Sequence, residues 1–127
     1  MADESKCGVI VIDDEEDVRE SLKQLFTLEG FEVYAMANAK EALRFISTKF
    51  QGVIISDIRM PEMDGLTFLK EVKKFNKLLP VILITGHGDI KLAVKSLKLG
   101  ATDFLEKPFN PNELVSQVKV LSSQRQV

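Results

Sequence analysis

The chain has 127 residues, of which 45% are hydrophobic and 28% are charged, and this composition predicts one globular domain with a substantial core. Its net charge of −2 gives no reason to expect binding to nucleic acid or to an anionic membrane surface. The single cysteine, Cys7, excludes an internal disulfide, which is typical of the reducing cytoplasm, where we expect the protein to reside.

Short apolar runs recur along the chain, and each is followed by a segment with helical spacing. The predicted strands are residues 9–12, 32–36, 52–56, 81–84 and 103–106. None of these runs approaches the roughly 20 residues that cross a bilayer, and the polar N-terminus does not resemble a signal peptide. The regular alternation of strand and helix predicts an α/β fold.

The predicted helices have recognisable first and last residues. The first helix has its apolar face at Val18, Leu22, Leu25 and Phe26, and the third is predicted at about residues 66–74. The predicted N-cap residues of the second to fifth helices are Asn38, Asp64, Asp89 and Asn110, with Gly30 and Gly100 ending the first and fourth helices.

The fold class that follows is a doubly wound, five-stranded parallel sheet with strand order 2-1-3-4-5 and five helices. The second strand suits an edge because it alternates and has little apolar content. This order puts the first strand beside the third at the topological switch point, where such sheets bind ligands. The polar residues that follow the strands are therefore expected at one rim: Asp13, Asp14, Asp57, Thr85 and Lys107.

Three carboxylates, a hydroxyl and an ammonium at one rim indicate a particular chemistry. Two carboxylates about 4 Å apart repel each other by roughly 4 kcal/mol at an effective dielectric of about 20, so three of them require a cation. Hard oxygen ligands favour Mg²⁺. Beside Mg²⁺, Asp57 can attack phosphorus to form an acyl phosphate, while Lys107 and Thr85 contact the transferred group. The residues therefore predict aspartyl-phosphate chemistry.

Four segments, in this order, closely resemble the receiver domain of two-component response regulators. They are Val-Ile-Asp-Asp-Glu (residues 11–15), Ser-Asp-Ile-Arg-Met-Pro-Glu-Met-Asp-Gly (56–65), Ile-Thr-Gly-His-Gly (84–88) and Gly-Ala-Thr-Asp-Phe-Leu-Glu-Lys-Pro-Phe (100–109). The resemblance covers about residues 8–121 and implies one flavodoxin-like receiver domain over residues 1–127. Residues 56–61 and 84–88 are most similar to receivers attached to transcription activators, which favours the receiver portion of a longer regulator over a stand-alone receiver.

The resemblance implies that Asp57 is the phosphoacceptor and that a sensor histidine kinase is the donor. Asp14 and Asp57 would bind Mg²⁺ directly, Asp13 would bind it through water, and Arg59 would contribute its backbone carbonyl. The chain would then be a signalling domain, with no enzymatic activity beyond its own phosphorylation and dephosphorylation.

The resemblance also implies a conformational switch. Lys107 would pair with the phosphoryl oxygens, and its peptide bond to Pro108 is expected to be cis. Thr85 would move toward the phosphoryl group and Phe104 would turn inward, which changes the surface of the fourth helix, fifth strand and fifth helix. That surface would control an output domain or partner protein, and phosphorylation would promote a homodimer. No contact with nucleic acid or with a membrane is expected of this domain.

Two other classes of protein share parts of this pattern. A Mg²⁺-dependent phosphatase of the haloacid dehalogenase type also has a nucleophilic Asp at a strand end. It carries a second acid two residues later, where this chain has Arg59, and the chain leaves little room for a substrate cap. A flavodoxin-like binding module has the same fold, but acidic residues 13–17 stand where its glycine-rich phosphate loop would be. The receiver interpretation is favoured over both.

Individual residues also have purely structural interpretations. One of Asp13 and Asp14 would suit a helix N-terminus, Thr85 a strand end and Phe104 a core position. A basic stripe on the fourth helix is either a solvated face or part of a partner surface, and it consists of Lys91, Lys95 and Lys98.

His87 is the only histidine of the chain, and we interpret it as an exposed loop residue. A second hypothesis, which the resemblance implies, is that Arg59 and His87 flank the phosphorylation site and tune the lifetime of the phosphoryl group.

Overall fold

A parallel sheet of five strands forms the centre of the structure, a computed structural model that describes residues 7–46, 50, 52–60, 62–86 and 88–125. The strands are β1 (Gly8–Ile12), β2 (Glu32–Met36), β3 (Gly52–Asp57), β4 (Val81–Thr85) and β5 (Asp103–Glu106). The helices are α1 (Glu16–Leu28), α2 (Ala39–Phe45), α3 (Gly65–Phe75), α4 (Ile90–Lys98) and α5 (Pro111–Arg125). The order β2-β1-β3-β4-β5 confirms the predicted topology, and each predicted strand agrees with the structure to within one residue at either end.

The sheet separates the core into two parts, because successive residues of a strand point to opposite faces. Ile54 packs in a cluster with side chains of α2, α3 and α4, which we call the α2–α4 core and which includes Phe68. Its neighbour Ile55 packs in a cluster with side chains of α1 and α5, which we call the α1–α5 core and which includes Phe26. Strands β1, β3 and β4 are buried along their whole length, whereas β2 is partly exposed at the edge. The continuous β-branched runs in the sequence reflect this burial on both faces.

Local sequence signals explain most of the helix ends. The Oδ1 atoms of Asn38, Asp64 and Asn110 accept hydrogen bonds from backbone N–H groups in the first turns of α2, α3 and α5, at 2.8–2.9 Å, which confirms the three predicted caps. Gly30 and Gly100 follow α1 and α4 with φ of 94° and 112°, a left-handed conformation that favours glycine. Within the described ranges, the helices lack the combination of length and apolar character that a membrane span requires.

The predicted capping role of Asp89 is wrong. Asp89 occupies the N-cap position of α4, but among the described residues its carboxylate accepts no hydrogen bond from the helix backbone. It accepts hydrogen bonds from the guanidinium of Arg59 instead, at 2.6–3.0 Å. A two-pronged bond to a cation is stronger than a bond to a neutral backbone N–H, so the tertiary partner replaces the local one.

The strand register brings the carboxyl ends of four strands to one rim. Ile12 of β1 lies beside Ser56 of β3, and Asp57 of β3 lies beside Ile84 of β4. The last residues of β4 and β5 are likewise adjacent. Side chains that end or follow these strands therefore share one surface of the molecule.

Candidate functional site

Three carboxylates lie together at the ends of β1 and β3. One oxygen each from Asp13, Asp14 and Asp57 lies within 4.8 Å of the others. Asp57 is the last residue of β3, and the two other acids directly follow β1. Oxygens bound to one Mg²⁺ at about 2.1 Å are at most about 4.2 Å apart, so small side-chain rotations would adapt this cluster to the ion. The all-carboxylate donor set also fits a hard cation such as Mg²⁺.

Burial makes this acidic cluster electrostatically costly without a cation. Asp13 is 2% exposed and Asp57 is 8% exposed, whereas Asp14 lies at the surface. Burial raises the pKa of Asp13; the backbone N–H of Glu15, which donates to its Oδ1 at 2.9 Å, opposes this, and the negative charge of Asp57 adds to it. The cluster therefore favours binding of a cation.

Lys107 supplies a positive charge directly beside Asp57. Its Nζ lies 3.1 Å from Asp57 Oδ2 and 3.7 Å from Glu15 Oε1. Burial by itself would lower the pKa of Lys107, but the hydrogen bond and the charge of Asp57, with those of Asp13 and Glu15, raise it instead. The peptide bond between Lys107 and Pro108 is cis, as the resemblance implied. Lys107 is thus an ammonium ion held against the carboxylate of Asp57.

Thr85 and Phe104, the two residues expected to switch, lie on the strands beside this cluster. Thr85 is fully buried at the end of β4, and its hydroxyl donates to the carbonyl of Gly86 at 3.2 Å. The Thr85 carbonyl accepts the backbone N–H of Lys107 at 2.8 Å, which ties the ends of β4 and β5 together. Phe104 is half-buried on β5 and packs against the α2–α4 core. In this arrangement the Thr85 hydroxyl bonds to its own loop and not to a carboxylate of the cluster.

Arg59 contacts the cluster through its backbone and Asp89 through its side chain. Its N–H lies 3.3 Å from Asp57 Oδ1, and its guanidinium lies 2.6–3.0 Å from the oxygens of Asp89. The hydrogen bond from Arg59 lowers the pKa of Asp89, and the same interaction raises the pKa of Arg59. The hypothesis about His87 concerns a residue outside the described ranges.

Three contacts of charged side chains at this rim were missed by reasoning from the sequence: the approach of Glu15 to Lys107, the Arg59–Asp89 pair, and a hydrogen bond from Arg19. The Arg19 guanidinium donates to the backbone carbonyl of Asp13 at 2.7 Å and so fixes the loop that carries the two acids. Opposite charges at positions 59 and 89, in loops after neighbouring strands, were a usable signal for the second contact.

The chain is similar to known proteins over most of its length. The family model for the response regulator receiver domain matches residues 9–119. The C4-dicarboxylate transport transcriptional regulatory protein DctD of Rhizobium meliloti (strain 1021) is 44% identical over 120 residues, which cover 94% of this chain and 26% of that protein. The transcriptional regulatory protein FixJ of the same organism is 40% identical over 111 residues, which cover 87% of this chain and 54% of that protein.

A solved structure gives the same result for the fold. The response regulator receiver domain protein from Clostridium thermocellum superimposes with a TM-score of 0.90 at 31% identity, covering 94% of this chain and 97% of that one. The chain thus matches nearly all of a receiver domain but spans only about a quarter of DctD and about half of FixJ.

Proposed function

Because the chain belongs to the response regulator receiver domain family, we propose that it accepts a phosphoryl group on Asp57 from a sensor histidine kinase. The observation that carries this proposal is the environment of one carboxylate. Asp57 lies beside two further acids and within 3.1 Å of the Lys107 ammonium, at the carboxyl edge of a parallel sheet. A nucleophilic carboxylate needs such flanking charges to receive an anionic group.

In the proposed step, a carboxylate oxygen of Asp57 attacks the phosphorus of a phosphohistidine. The new O–P bond forms as the P–N bond breaks, and the histidine nitrogen leaves with that electron pair. Lys107 pairs with the oxygens of the transferred group, and the Arg59 N–H stays with the Asp57 carboxyl. Asp14 and Asp57 directly, Asp13 through water and the Arg59 carbonyl would hold Mg²⁺, which supplies positive charge against the carboxylates and the phosphoryl oxygens.

We further propose that phosphorylation is transmitted to the surface formed by α4, β5 and α5. The Thr85 hydroxyl exchanges the Gly86 carbonyl for a phosphoryl oxygen, and Phe104 turns into the space that Thr85 leaves. Support comes from apolar side chains on α4 at helical spacing: Ile90, Val94 and Leu97 are 40%, 45% and 41% exposed. The switched surface would control an output domain or effector protein and would promote pairing of two copies.

The biological setting is also a proposal. DctD and FixJ are named as transcriptional regulatory proteins, and the chain spans only part of each, so we propose that this receiver regulates transcription through a further domain or partner. A histidine-kinase donor and a free cysteine fit a cytoplasmic location. No direct contact with nucleic acid or with a membrane is proposed for this domain. Its own phosphorylation and dephosphorylation are the only chemical steps proposed.

A haloacid dehalogenase-type phosphatase is not favoured. Such an enzyme needs a second acid two residues after its nucleophile, to protonate the leaving group. Position 59 holds an arginine whose guanidinium is already engaged by Asp89.

The test is the intact mass of the protein after incubation with Mg²⁺ and a small phosphodonor. One added phosphoryl group is expected, and it should be absent without Mg²⁺ and absent in Asp57→Asn. Steady turnover of the donor without an adduct would instead indicate a phosphatase. The solution molar mass, measured with and without the phosphodonor, tests pairing: equal values would rule out the proposed homodimer.

A further inference from the structure

The pair formed by Arg59 and Asp89 joins the phosphoacceptor loop to the start of α4. Arg59 Nε lies 3.0 and 2.8 Å from the two carboxylate oxygens of Asp89, and a terminal guanidinium nitrogen lies 2.6 Å from Oδ1. The two partners differ in exposure: 74% of the Arg59 side chain is exposed, but only 6% of the Asp89 side chain. The arginine side chain therefore has open space around it, whereas the carboxylate is enclosed by protein.

Asp89 stands at a helix N-terminus without capping it. The N-cap residues of α2 and α3, Asn38 and Asp64, have extended backbones and accept a hydrogen bond from their helices. Asp89 has φ −104° and ψ 17°, and among the described residues its side chain makes no such bond to α4. Aspartate is a preferred N-cap residue, and its charge is favourable at a helix N-terminus. The backbone N–H groups that a capping aspartate would take thus belong to the residues that directly follow Asp89.

Arg59 is adjacent to the group whose charge would change. It lies two residues after Asp57, and its own N–H is 3.3 Å from Asp57 Oδ1. A phosphoryl group carries a charge of about −1.5 to −2 and three strong acceptor oxygens, against one negative charge on Asp89. Arginine binds phosphate oxygens in the same two-pronged geometry that it uses for a carboxylate. A phosphoryl group on Asp57 therefore competes with Asp89 for this guanidinium.

We propose that Arg59 changes partner, from Asp89 in the unmodified protein to the phosphoryl group on Asp57, and that the released Asp89 carboxylate then caps α4. A buried carboxylate without a partner is costly, so release of Arg59 obliges Asp89 to take the backbone N–H groups of the first turn of α4. The exchange links the chemistry at Asp57 to the N-terminus of α4. This inference rests on the proposed function and adds a residue pair that carries the signal.

The test uses beryllium fluoride, a phosphoryl mimic, titrated with Mg²⁺ into wild-type protein, Asp89→Asn, Arg59→Gln and the double variant. Asp89→Asn removes the competing charge, so it should bind the mimic about two- to fivefold more tightly, the range expected from an exposed ion pair. Arg59→Gln should bind it more weakly, and the double variant should behave like Arg59→Gln. A pair that only stabilises the loop predicts weaker binding in both single variants, and that result would overturn the inference.

Hydrogen exchange supplies a readout of the helix itself. In wild-type protein, the backbone N–H groups of Lys91 and Leu92 should exchange more slowly once the mimic is bound. In Asp89→Asn they should already be slow without it, because asparagine caps a helix as well as aspartate does. Asp64→Asn is the matched control, since Asp64 already caps α3 and the substitution should leave the affinity for the mimic unchanged. Failure of the wild-type protein to bind the mimic would overturn the proposed function as well, whereas normal binding with unchanged exchange at α4 would overturn only this inference.

Discussion

The negative charge of Asp13 destabilises the folded protein when no metal ion is bound. Asp13 is buried beside Asp57, and burial raises its pKa. An acid with a raised pKa in the folded state carries no penalty below its unfolded pKa. The penalty grows as pH rises from the unfolded pKa to the folded pKa and stays constant above it. Asp13→Asn should therefore stabilise the protein at neutral pH in a chelator, and the gain should vanish in acid. A gain of 1 kcal/mol would raise Tm by about 4 °C.

Mg²⁺ should reverse the order of stability of wild-type protein and Asp13→Asn. Binding to the folded state stabilises wild-type protein by an amount that rises with the metal concentration, and Asp13→Asn should gain much less. Asp14→Asn, at an exposed position, is the control and should change the metal-free Tm little. A metal-free Asp13→Asn protein that melts below wild type at neutral pH would contradict the electrostatic account.

Lys107 should have opposite effects on metal binding and on phosphoryl transfer. Its ammonium lies 3.1 Å from Asp57 Oδ2, so it repels a cation at the cluster but stabilises an incoming anionic group. Lys107→Met should bind Mg²⁺ more tightly and should accept the phosphoryl group about 10²- to 10³-fold more slowly, the usual loss for one electrostatic stabiliser. Isothermal titration and intact mass spectrometry measure the two effects, with the exposed Lys23→Met as the control. If Lys107→Met lowered both the affinity for Mg²⁺ and the rate of phosphoryl transfer, general misfolding of the rim would be indicated.

At the scale of secondary structure, the start of α3 is packed directly against the end of β3. A Cβ atom on Gly65 would lie 2.8 Å from both the carbonyl oxygen of Asp57 and the Cα of Ile58. Both contacts are with backbone, so Gly65→Ala must shift the strand end that carries Asp57, the proposed phosphoacceptor. We expect a loss of about 1–3 kcal/mol in the free energy of unfolding and weaker Mg²⁺ binding. Thr67→Ala, at an exposed position of the same helix, should cause neither change.

The elements also show which features the sequence can predict. Strands and three helix caps were predictable because apolar runs and residues such as Asp64 act on backbone a few positions away. The partner of Asp89 was not, because Arg59 lies 30 residues earlier in the chain. The hydrogen bond of the Thr85 hydroxyl was missed for a related reason, since a rotatable hydroxyl takes whichever acceptor the folded loop presents. Contacts between residues that are close in the chain could thus be predicted. The outcome of a competition between a local and a distant partner could not.

At the scale of the whole molecule, one sheet serves two purposes. Its faces support two separate cores, and its carboxyl edge collects the charged residues of the site. Loops that leave the strands at this edge can change partners while the strands remain fixed by burial on both faces. The proposed switch needs this division, because it alters α4 without unfolding the sheet. The strand order was predictable from the alternation of strands and helices and from the polar edge strand, so the location of the rim was predictable as well.

The two cores should contribute independently to stability. Ile10 belongs to the α2–α4 core and Ile82 to the α1–α5 core, and both are fully buried. They lie on opposite faces of strands separated by β3, and their side chains belong to different clusters of buried residues. Ile10→Val and Ile82→Val should each lower the free energy of unfolding by about 0.5–1.5 kcal/mol, and in the double variant the two losses should add to within about 0.5 kcal/mol.

Urea unfolding followed by circular dichroism measures the wild-type protein, the two single variants and the double variant with one probe. The denaturant dependence should stay constant across them, because the sheet makes the molecule unfold as one unit. A coupling above about 1 kcal/mol would show that the sheet transmits packing changes between its faces, and then a change at α4 would be felt at α1 as well.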